Sequence, residues 1–258
     1  MQILTAAADC RTPGPLLALD RLLPLVNQVL AHSGLAAHDL DLITTVSVSP
    51  DRVAIDPAIL GPRIGHPLQR AVGASRAYVF DMLDASVAKV LHAVDVFASR
   101  QGYEHVLVVR TEHCAGLDLQ LGEHMHLPDG ALALVCRPDG CNRLRSVPID
   151  DLPPAITLAD RVVGDALAVK ATMRFDSPPD LAARHGDAAR RAMAALPETG
   201  HAIVESWFSR DADGPFSMAT GLSSALARGY RGSVTAVSFD PFAPAADAVT
   251  LHCGVRHV

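Results

Sequence analysis

A serine occupies the predicted junction between a strand and a helix, a position from which many enzymes present a nucleophile. The stretch "VFDMLDASVAK" predicts a short strand from Val79 to Met82, a turn at residues 83–85 and a helix that begins near Ser86. The first amides of a helix have no partner within it and carry partial positive charge, so they stabilise an anion. Ser86 is therefore a candidate nucleophile. It is equally a candidate helix cap, because serine is a preferred capping residue.

A serine hydroxyl reacts only when a base takes its proton. The base must lie within about 3 Å of the hydroxyl oxygen. His92 follows six residues along the same predicted helix and points away from the helix start. We predict that His92 is a solvated or interface histidine and a poor candidate for the base.

A second group of residues has side chains that bind transition metals. The segments "TEHC" and "GEHMH" bring together Glu112, His113, Cys114, Glu123, His124 and His126. Their spacing fits no closed ligand set. The interpretation we favour is a solvated polar loop between strands, and we predict neither a metal nor a cofactor.

Composition narrows the classes of partner. The chain has 258 residues, 49% of them hydrophobic, a net charge of −6 and only 4% aromatic residues. Nucleic acid is disfavoured, because binding it needs clustered positive charge and stacking aromatics. No apolar run approaches the length of a membrane span, and the first ten residues do not resemble a signal peptide. Five scattered cysteines without CxxC spacing indicate reduced thiols, so we predict a cytoplasmic protein.

Strands and helices alternate along the chain. The segment "PLLALDRLLPLVNQVLAHSG" predicts a helix that ends at Gly34, and "DPAILGPRIGHPLQRAVG" predicts a helix interrupted at Gly61-Pro62 and at Gly65-His66-Pro67. "LDLITTV", "HVLVVRTE" and "DGALALVCRP" predict buried strands. After a poorly assigned stretch from Pro138 to Pro179, the order helix, strand, helix, strand, strand repeats the first part. This pattern predicts an α/β fold with helices on both faces of the sheet.

The run "AYVFDMLDASVAKVLHAVDVFASRQGYEHVLVVRTE", followed by "LPDGALALVCRP", resembles the N-terminal half of a ketoacyl synthase III-type enzyme of the thiolase superfamily. In that family a strand ends in Phe-Asp, the nucleophilic cysteine follows at a helix start, and an Asp-Gly-Ala turn leads into a later strand. The resemblance places Ser86 at the cysteine position and Asp129-Gly130-Ala131 at the turn.

The resemblance implies a thiolase-like, layered αβαβα fold made of two similar halves. We expect the halves to span residues 1–138 and 139–258, with the second one shortened and the two forming one compact unit. The family also uses a histidine and an asparagine to stabilise the developing enolate and oxyanion. After the strand "HAIVES" the chain has Ser206 and Trp207 instead of a histidine, and Gly214 is followed by Pro215 instead of an asparagine.

Further stretches, "SPD", "IGHPLQ", "GPF" and "SFDPF", resemble the small subunit of a heteromeric alkylquinolone-forming condensing enzyme. This implies a non-catalytic subunit in which Ser86 is a vestigial nucleophile position. A synthase III-like partner subunit would carry the cysteine, histidine and asparagine. It would couple a medium-chain fatty acyl group to 2-aminobenzoylacetate and give a 2-alkyl-4(1H)-quinolone. The alternative is a stand-alone acyltransferase or hydrolase that uses Ser86 as the acyl acceptor.

The segment "GPRIGHPLQ" contains the predicted interface residues Gly61, Arg63, Ile64 and His66. A simple kinked helix is one interpretation of this segment. In the dimers that the chain resembles, the corresponding loop crosses the subunit boundary and shapes the neighbour's acyl pocket, so the resemblance implies an interface role.

Overall fold

The structure is a computed structural model that describes residues 1–10, 17–47, 64–82, 86–112, 119–121, 129–149, 161–163, 166–168, 173–175, 180–197, 199–205, 214–240 and 244–254. The helices are α1 (Ala18–Ser33), α2 (Gly65–Val72), α3 (Val87–Gln101), α4 (Leu181–Ala194) and α5 (Ser217–Ala227). The strands are β1 (Gln2–Asp9), β2 (Leu42–Val46), β3 (Tyr78–Met82), β4 (Val106–Glu112), β5 (Leu119–Leu121), β6 (Gly130–Arg137), β7 (Leu144–Pro148), β8 (Arg161–Val163), β9 (Ala166–Ala168), β10 (Met173–Phe175), β11 (His201–Val204), β12 (Gly232–Asp240) and β13 (Ala245–Cys253).

The first half of the chain forms five strands in the order β3-β2-β4-β6-β1. Strands β3, β2 and β4 are parallel, and β6 runs antiparallel to both β4 and β1. The three parallel strands therefore have their carboxyl ends on the same side of the sheet, near the start of α3. Strands β2, β4 and β6 are almost entirely buried, as expected of strands covered on both faces.

The second half forms four strands in the order β11-β12-β13-β7. Strand β11 is parallel to β12, and β13 runs antiparallel to both β12 and β7. The two halves join where β1 pairs with β13 at Gln2 and Ile3. Among the described residues, the second half has one main strand fewer than the first. The predicted boundary at residues 138–139 remains a prediction, and it falls in the connection between β6 and β7.

Helices form three layers that alternate with the two halves of the sheet. Helices α1 and α2 pack with the face of the first half that carries Ile43, Leu107 and Val109. Helices α3 and α5 lie in the middle layer, where one core cluster joins residues of both halves. Helix α4 packs on β7, β12 and β13. The expected αβαβα arrangement is thereby confirmed.

Helix α2 departs from the interrupted helix that the sequence predicts. It begins at Gly65, so Gly65, His66 and Pro67 form its first turn and do not interrupt it. Proline is tolerated there, because amides of the first turn have no partner within the helix. The amide of Gly65 donates to Asp81 on β3 at 2.7 Å, which anchors the helix start on the neighbouring strand.

None of the described helices is both long and apolar enough to cross a membrane.

Candidate functional site

Ser86 is the N-terminal cap of α3. Its Oγ accepts a hydrogen bond from the amide of Lys89 at 3.2 Å, and its backbone has the extended conformation of a capping residue. The hydroxyl donates to Oδ2 of Asp247 on β13 at 2.6 Å. Only 1% of Ser86 is exposed. Both hydrogen-bonding functions of this hydroxyl are therefore in use, and solvent scarcely reaches it.

Charged groups surround Ser86 in what we term the Ser86 cluster, made up of Ser86, Lys89, Ser238, Asp240 and Asp247. The ammonium of Lys89 lies 2.9 Å from Asp240 and 3.5 Å from Asp247. Burial acts to lower the pKa of Lys89, but the hydrogen bond and the negative charge of Asp240, together with Asp247, outweigh it and hold the pKa above its usual value. Lys89 is thus an ammonium ion at neutral pH and ties α3 to the second half of the sheet.

The first amides of α3 are occupied by side chains. The amide of Ala88 donates to the hydroxyl of Ser238 at 2.8 Å, and the amide of Lys89 donates to Ser86. In an acyl-transfer enzyme such amides would be directed at the oxyanion of the reacting carbonyl. Here they stabilise the packing of α3 against β12.

A second charged group, which we term the Arg110 cluster, joins the two halves at the carboxyl ends of β4 and β11. Arg110 donates to Glu112 and to Glu205, each at 2.8 Å, and all three side chains are at most 1% exposed. Burial raises the pKa of Glu205 to about 7, against the opposing effect of Arg110 and with the help of the negative charge of Glu112. Among the described residues, one guanidinium therefore faces two carboxylates, and all three groups are shielded from solvent.

The segments that replace the family's histidine and asparagine are only partly described. Ser206 and Trp207 lie outside the described residues. Gly214–Phe216 forms a single turn of 3-10 helix before α5. Phe216 is completely buried, and a side chain at Gly130 would overlap with its ring and lie 2.8 Å from the Asp9 carbonyl. The glycine of the Asp-Gly-Ala turn is therefore required by packing.

Two of the predicted interface residues lie beside the edge strand β3. Ile64 is buried and immediately precedes α2, and His66 is exposed in the first turn of α2, where its Nδ1 lies 3.3 Å from Oε1 of Gln69. Gly61 and Arg63 lie outside the described residues. The structure places Ile64 and His66 away from the Ser86 cluster, on the side of the first half that carries α2.

Of the other sequence candidates, the two that the structure describes, His92 and Glu112, make contacts within the fold. His92 is half-buried and its Nδ1 lies 2.8 Å from Oδ1 of Asn142, so it is not a partner of Ser86. Glu112 belongs to the Arg110 cluster, and His113, Cys114, Glu123, His124 and His126 lie outside the described residues. Where side chains are described, no group of three or more His, Cys, Asp or Glu residues is placed to hold a metal ion.

Sequence reasoning missed most of both clusters. Arg110 and Glu112 end the otherwise apolar strand "VLVVRTE", and Asp247 is the one acidic residue of the apolar strand "AADAVTLHC". A buried charge is retained in a strand only when it is paired, so this pattern was the available signal. The pairing itself joins residues about 90 to 160 positions apart, and spacing along the sequence does not reveal it.

Comparison with known proteins agrees with this architecture. No protein-family profile matches the chain. It is 36% identical over 254 residues to 2-heptyl-4(1H)-quinolone synthase subunit PqsB of Pseudomonas aeruginosa, covering 93% of this chain and 88% of that protein.

Solved structures share the fold at low sequence identity. The β-ketoacyl-[acyl-carrier-protein] synthase III of Thermus thermophilus superposes with a TM-score of 0.67 at 15% identity, covering 94% of this chain and 86% of that one. The tetronic acid condensing enzyme AbyA1 superposes with a TM-score of 0.64 at 15% identity, covering 97% of this chain and 99% of that one. The chain therefore belongs to the PqsB family of quinolone synthase subunits, built on the thiolase-like fold of the ketoacyl synthase III enzymes.

Proposed function

We propose that this chain is the non-catalytic subunit of a heteromeric condensing enzyme. The complex couples a medium-chain fatty acyl group to 2-aminobenzoylacetate and forms a 2-alkyl-4(1H)-quinolone. The observation that carries the proposal is the state of Ser86, which is buried, caps α3 and donates a hydrogen bond to Asp247 at 2.6 Å. A residue held in this way supports the fold and is withdrawn from acyl transfer.

The chemistry is assigned to a second subunit of the PqsC type. Condensation needs a thiolate to hold the acyl group, and donors that stabilise the enolate and the oxyanion. This chain has a serine at the thiolate position, and its sequence replaces the histidine and the asparagine. The partner's cysteine, histidine and asparagine carry the acyl chain and perform the condensation. This chain supports the partner's fold and forms one wall of its pocket.

Strand β3 supports the assignment of a partner surface. It ends the sheet, and among the described strands it pairs only with β2. Tyr78 on this strand is 57% exposed and makes an edge-to-face contact with Phe80 at 5.5 Å. A sheet edge with exposed apolar side chains is suited to pairing with another chain. The predicted interface residues Ile64 and His66 border this surface, and Gly61 and Arg63, which lie outside the described residues, keep their predicted interface role.

Co-expression with a neighbouring-gene synthase homologue tests the proposal. We expect the two chains to co-purify and to form quinolone from an acyl thioester and 2-aminobenzoylacetate. Ser86→Ala should leave product formation by the co-purified complex within about twofold of wild type, because the hydroxyl performs no chemistry. Replacing the partner's nucleophilic cysteine with alanine should abolish it. Failure to co-purify, or loss of product with Ser86→Ala in an intact complex, would overturn the assignment.

The alternative is a stand-alone acyltransferase or hydrolase that uses Ser86. The observation in its favour is the carboxylate of Asp247, which lies close enough to accept the serine proton. Mass spectrometry after incubation of the isolated chain with acyl-coenzyme A separates the two functions. A stoichiometric acyl adduct on Ser86 supports the alternative and contradicts the non-catalytic role.

A further inference from the structure

Asp247 lies near the start of β13 and faces the start of α3. Its side chain is completely buried, with Oδ2 2.6 Å from Oγ of Ser86. The register of the sheet places Asp247 directly opposite Ser238 on β12. Its second oxygen, Oδ1, has no hydrogen-bond partner among the described residues. A carboxylate that is buried and only partly satisfied creates a strongly negative environment around residue 86.

The charges that the described part of the chain directs at residue 86 do not cancel. Helix α3 contributes the ammonium of Lys89, β12 contributes the carboxylate of Asp240, and β13 contributes Asp247. Among the described residues, two carboxylates thus face one ammonium. Lys89 is also closer to Asp240, at 2.9 Å, than to Asp247, at 3.5 Å. The charge of Asp247 is therefore compensated only in part.

We infer that Asp247 is a second determinant of inactivity, beyond the absence of the cysteine, because it prevents an anion from forming at residue 86. A thiolate there would lie next to a buried carboxylate, and a like charge at that distance raises the pKa of a thiol. The amide of Ala88 does not offset this repulsion, because Ser238 already occupies it, and the amide of Lys89 offers residue 86 only a single hydrogen bond, at 3.2 Å. Restoring the thiol alone therefore does not restore an ionised nucleophile.

Asp247 is also a poor base for the serine that is present. Carboxylic acids have an ordinary pKa near 4, far below that of a hydroxyl, so a carboxylate is too weak a base to remove the proton of a serine. The hydrogen bond from Ser86 to Asp247 consequently leaves the proton on the serine. This inference rests on the proposed non-catalytic role and adds the residue that enforces it.

The ionisation of a thiol introduced by Ser86→Cys tests the inference. Thiolate absorbance in the ultraviolet is followed against pH, and the wild-type curve is subtracted. The background from buried native cysteines is low, because burial raises the pKa of Cys136 to about 12 and that of Cys253 to about 11. We expect the pKa of the introduced thiol to lie above the ordinary value of about 8.5.

Removing the carboxylate should reverse this shift. In Ser86→Cys/Asp247→Asn we expect the pKa of the thiol to fall by about one to two pH units. The matched control is Ser86→Cys/Asp39→Asn, which removes an exposed carboxylate beside the start of β2 and should leave the pKa unchanged. Equal thiol pKa values with and without Asp247, or a value at or below about 8.5 in Ser86→Cys, would overturn the inference.

Folding of each variant is checked by circular dichroism and thermal melting. Asp247→Ser provides a second neutral replacement where Asp247→Asn does not fold. A variant that folds only with its partner is titrated in the co-purified complex. The curve of the complex that contains the wild-type chain is then the background to be subtracted. The titration measures ionisation and the co-expression assay measures product, so failure of the inference and failure of the proposed function give different results.

Discussion

Glu205 is a carboxylic acid that shares one guanidinium with a second carboxylate inside the protein. Arg110 compensates the charge of one carboxylate in this buried cluster, and the Oε2 atom of Glu205 has no hydrogen-bond partner among the described residues. Burial therefore favours the protonated form and raises the pKa of Glu205 to about 7. The folded chain consequently binds a proton that the unfolded chain releases near the ordinary pKa of a glutamate.

This difference predicts how stability depends on pH. A raised acid pKa contributes stability that is complete below the unfolded value, falls as the pH rises toward 7 and is lost above it. Glu205→Gln mimics the protonated acid and removes this dependence. From urea unfolding, we expect wild type to lose on the order of 2 to 3 kcal/mol relative to the variant between pH 5 and pH 8.

The exposed residue Glu104 provides the control for this comparison. Glu104→Gln removes one carboxylate from the surface and should follow the pH profile of wild type. Parallel profiles for wild type and Glu205→Gln would show that Glu205 is ionised throughout this range, and that the guanidinium of Arg110 outweighs burial.

At the scale of elements, the start of α2 is fixed by its close approach to β3. The Oδ1 atom of Asp81 accepts from the amide of Gly65 at 2.7 Å and from the hydroxyl of Thr45 at 2.6 Å. A Cβ atom at Gly65 would overlap with Val79 and lie 2.8 Å from Oδ1 of Asp81. The Phe-Asp ending of the strand, which carried the family resemblance, therefore also positions the neighbouring helix.

Gly65→Ala should separate α2 from β3. We expect the free energy of unfolding to fall by about 1 to 3 kcal/mol, because the added methyl has no space at this contact. Gly186→Ala is the matched control. It lies inside α4, where a Cβ would meet only the Arg190 side chain, at 3.7 Å, and should be neutral or stabilising by up to about 1 kcal/mol. Equal effects of the two substitutions in chemical denaturation would contradict the role of this contact.

At the scale of the whole molecule, local patterns predicted the elements and the α/β class, the family resemblance predicted the layered fold, and neither predicted the clusters. Apolar periodicity predicted α1 with its end at Gly34, and continuous apolar runs predicted β4 and β6. The pairings of Ser86 with Asp247 and of Arg110 with Glu205 join different halves of the chain. They depend on how the two halves of the sheet pack against the middle helices, which no local pattern encodes.

The two halves also expose different edges of the sheet, and this difference predicts which edge binds a partner. The first half ends at β3 with Tyr78, which is 57% exposed, and the second ends at β11 with Val204, which is 41% exposed. Aromatic side chains contribute disproportionately to protein interfaces. Strand β3 also borders α2, which carries the predicted interface residue His66.

We expect Tyr78→Asp to weaken the heteromeric complex at least about tenfold in dissociation constant, equivalent to about 1.4 kcal/mol, because it places a charge in an apolar interface. Val204→Asp makes the same change on the other edge strand and should leave association unchanged. Dissociation of the purified complexes on dilution, followed by analytical ultracentrifugation, measures both. The thermal unfolding of each isolated variant separates loss of affinity from loss of fold. Weakening by Val204→Asp alone would place the partner on β11.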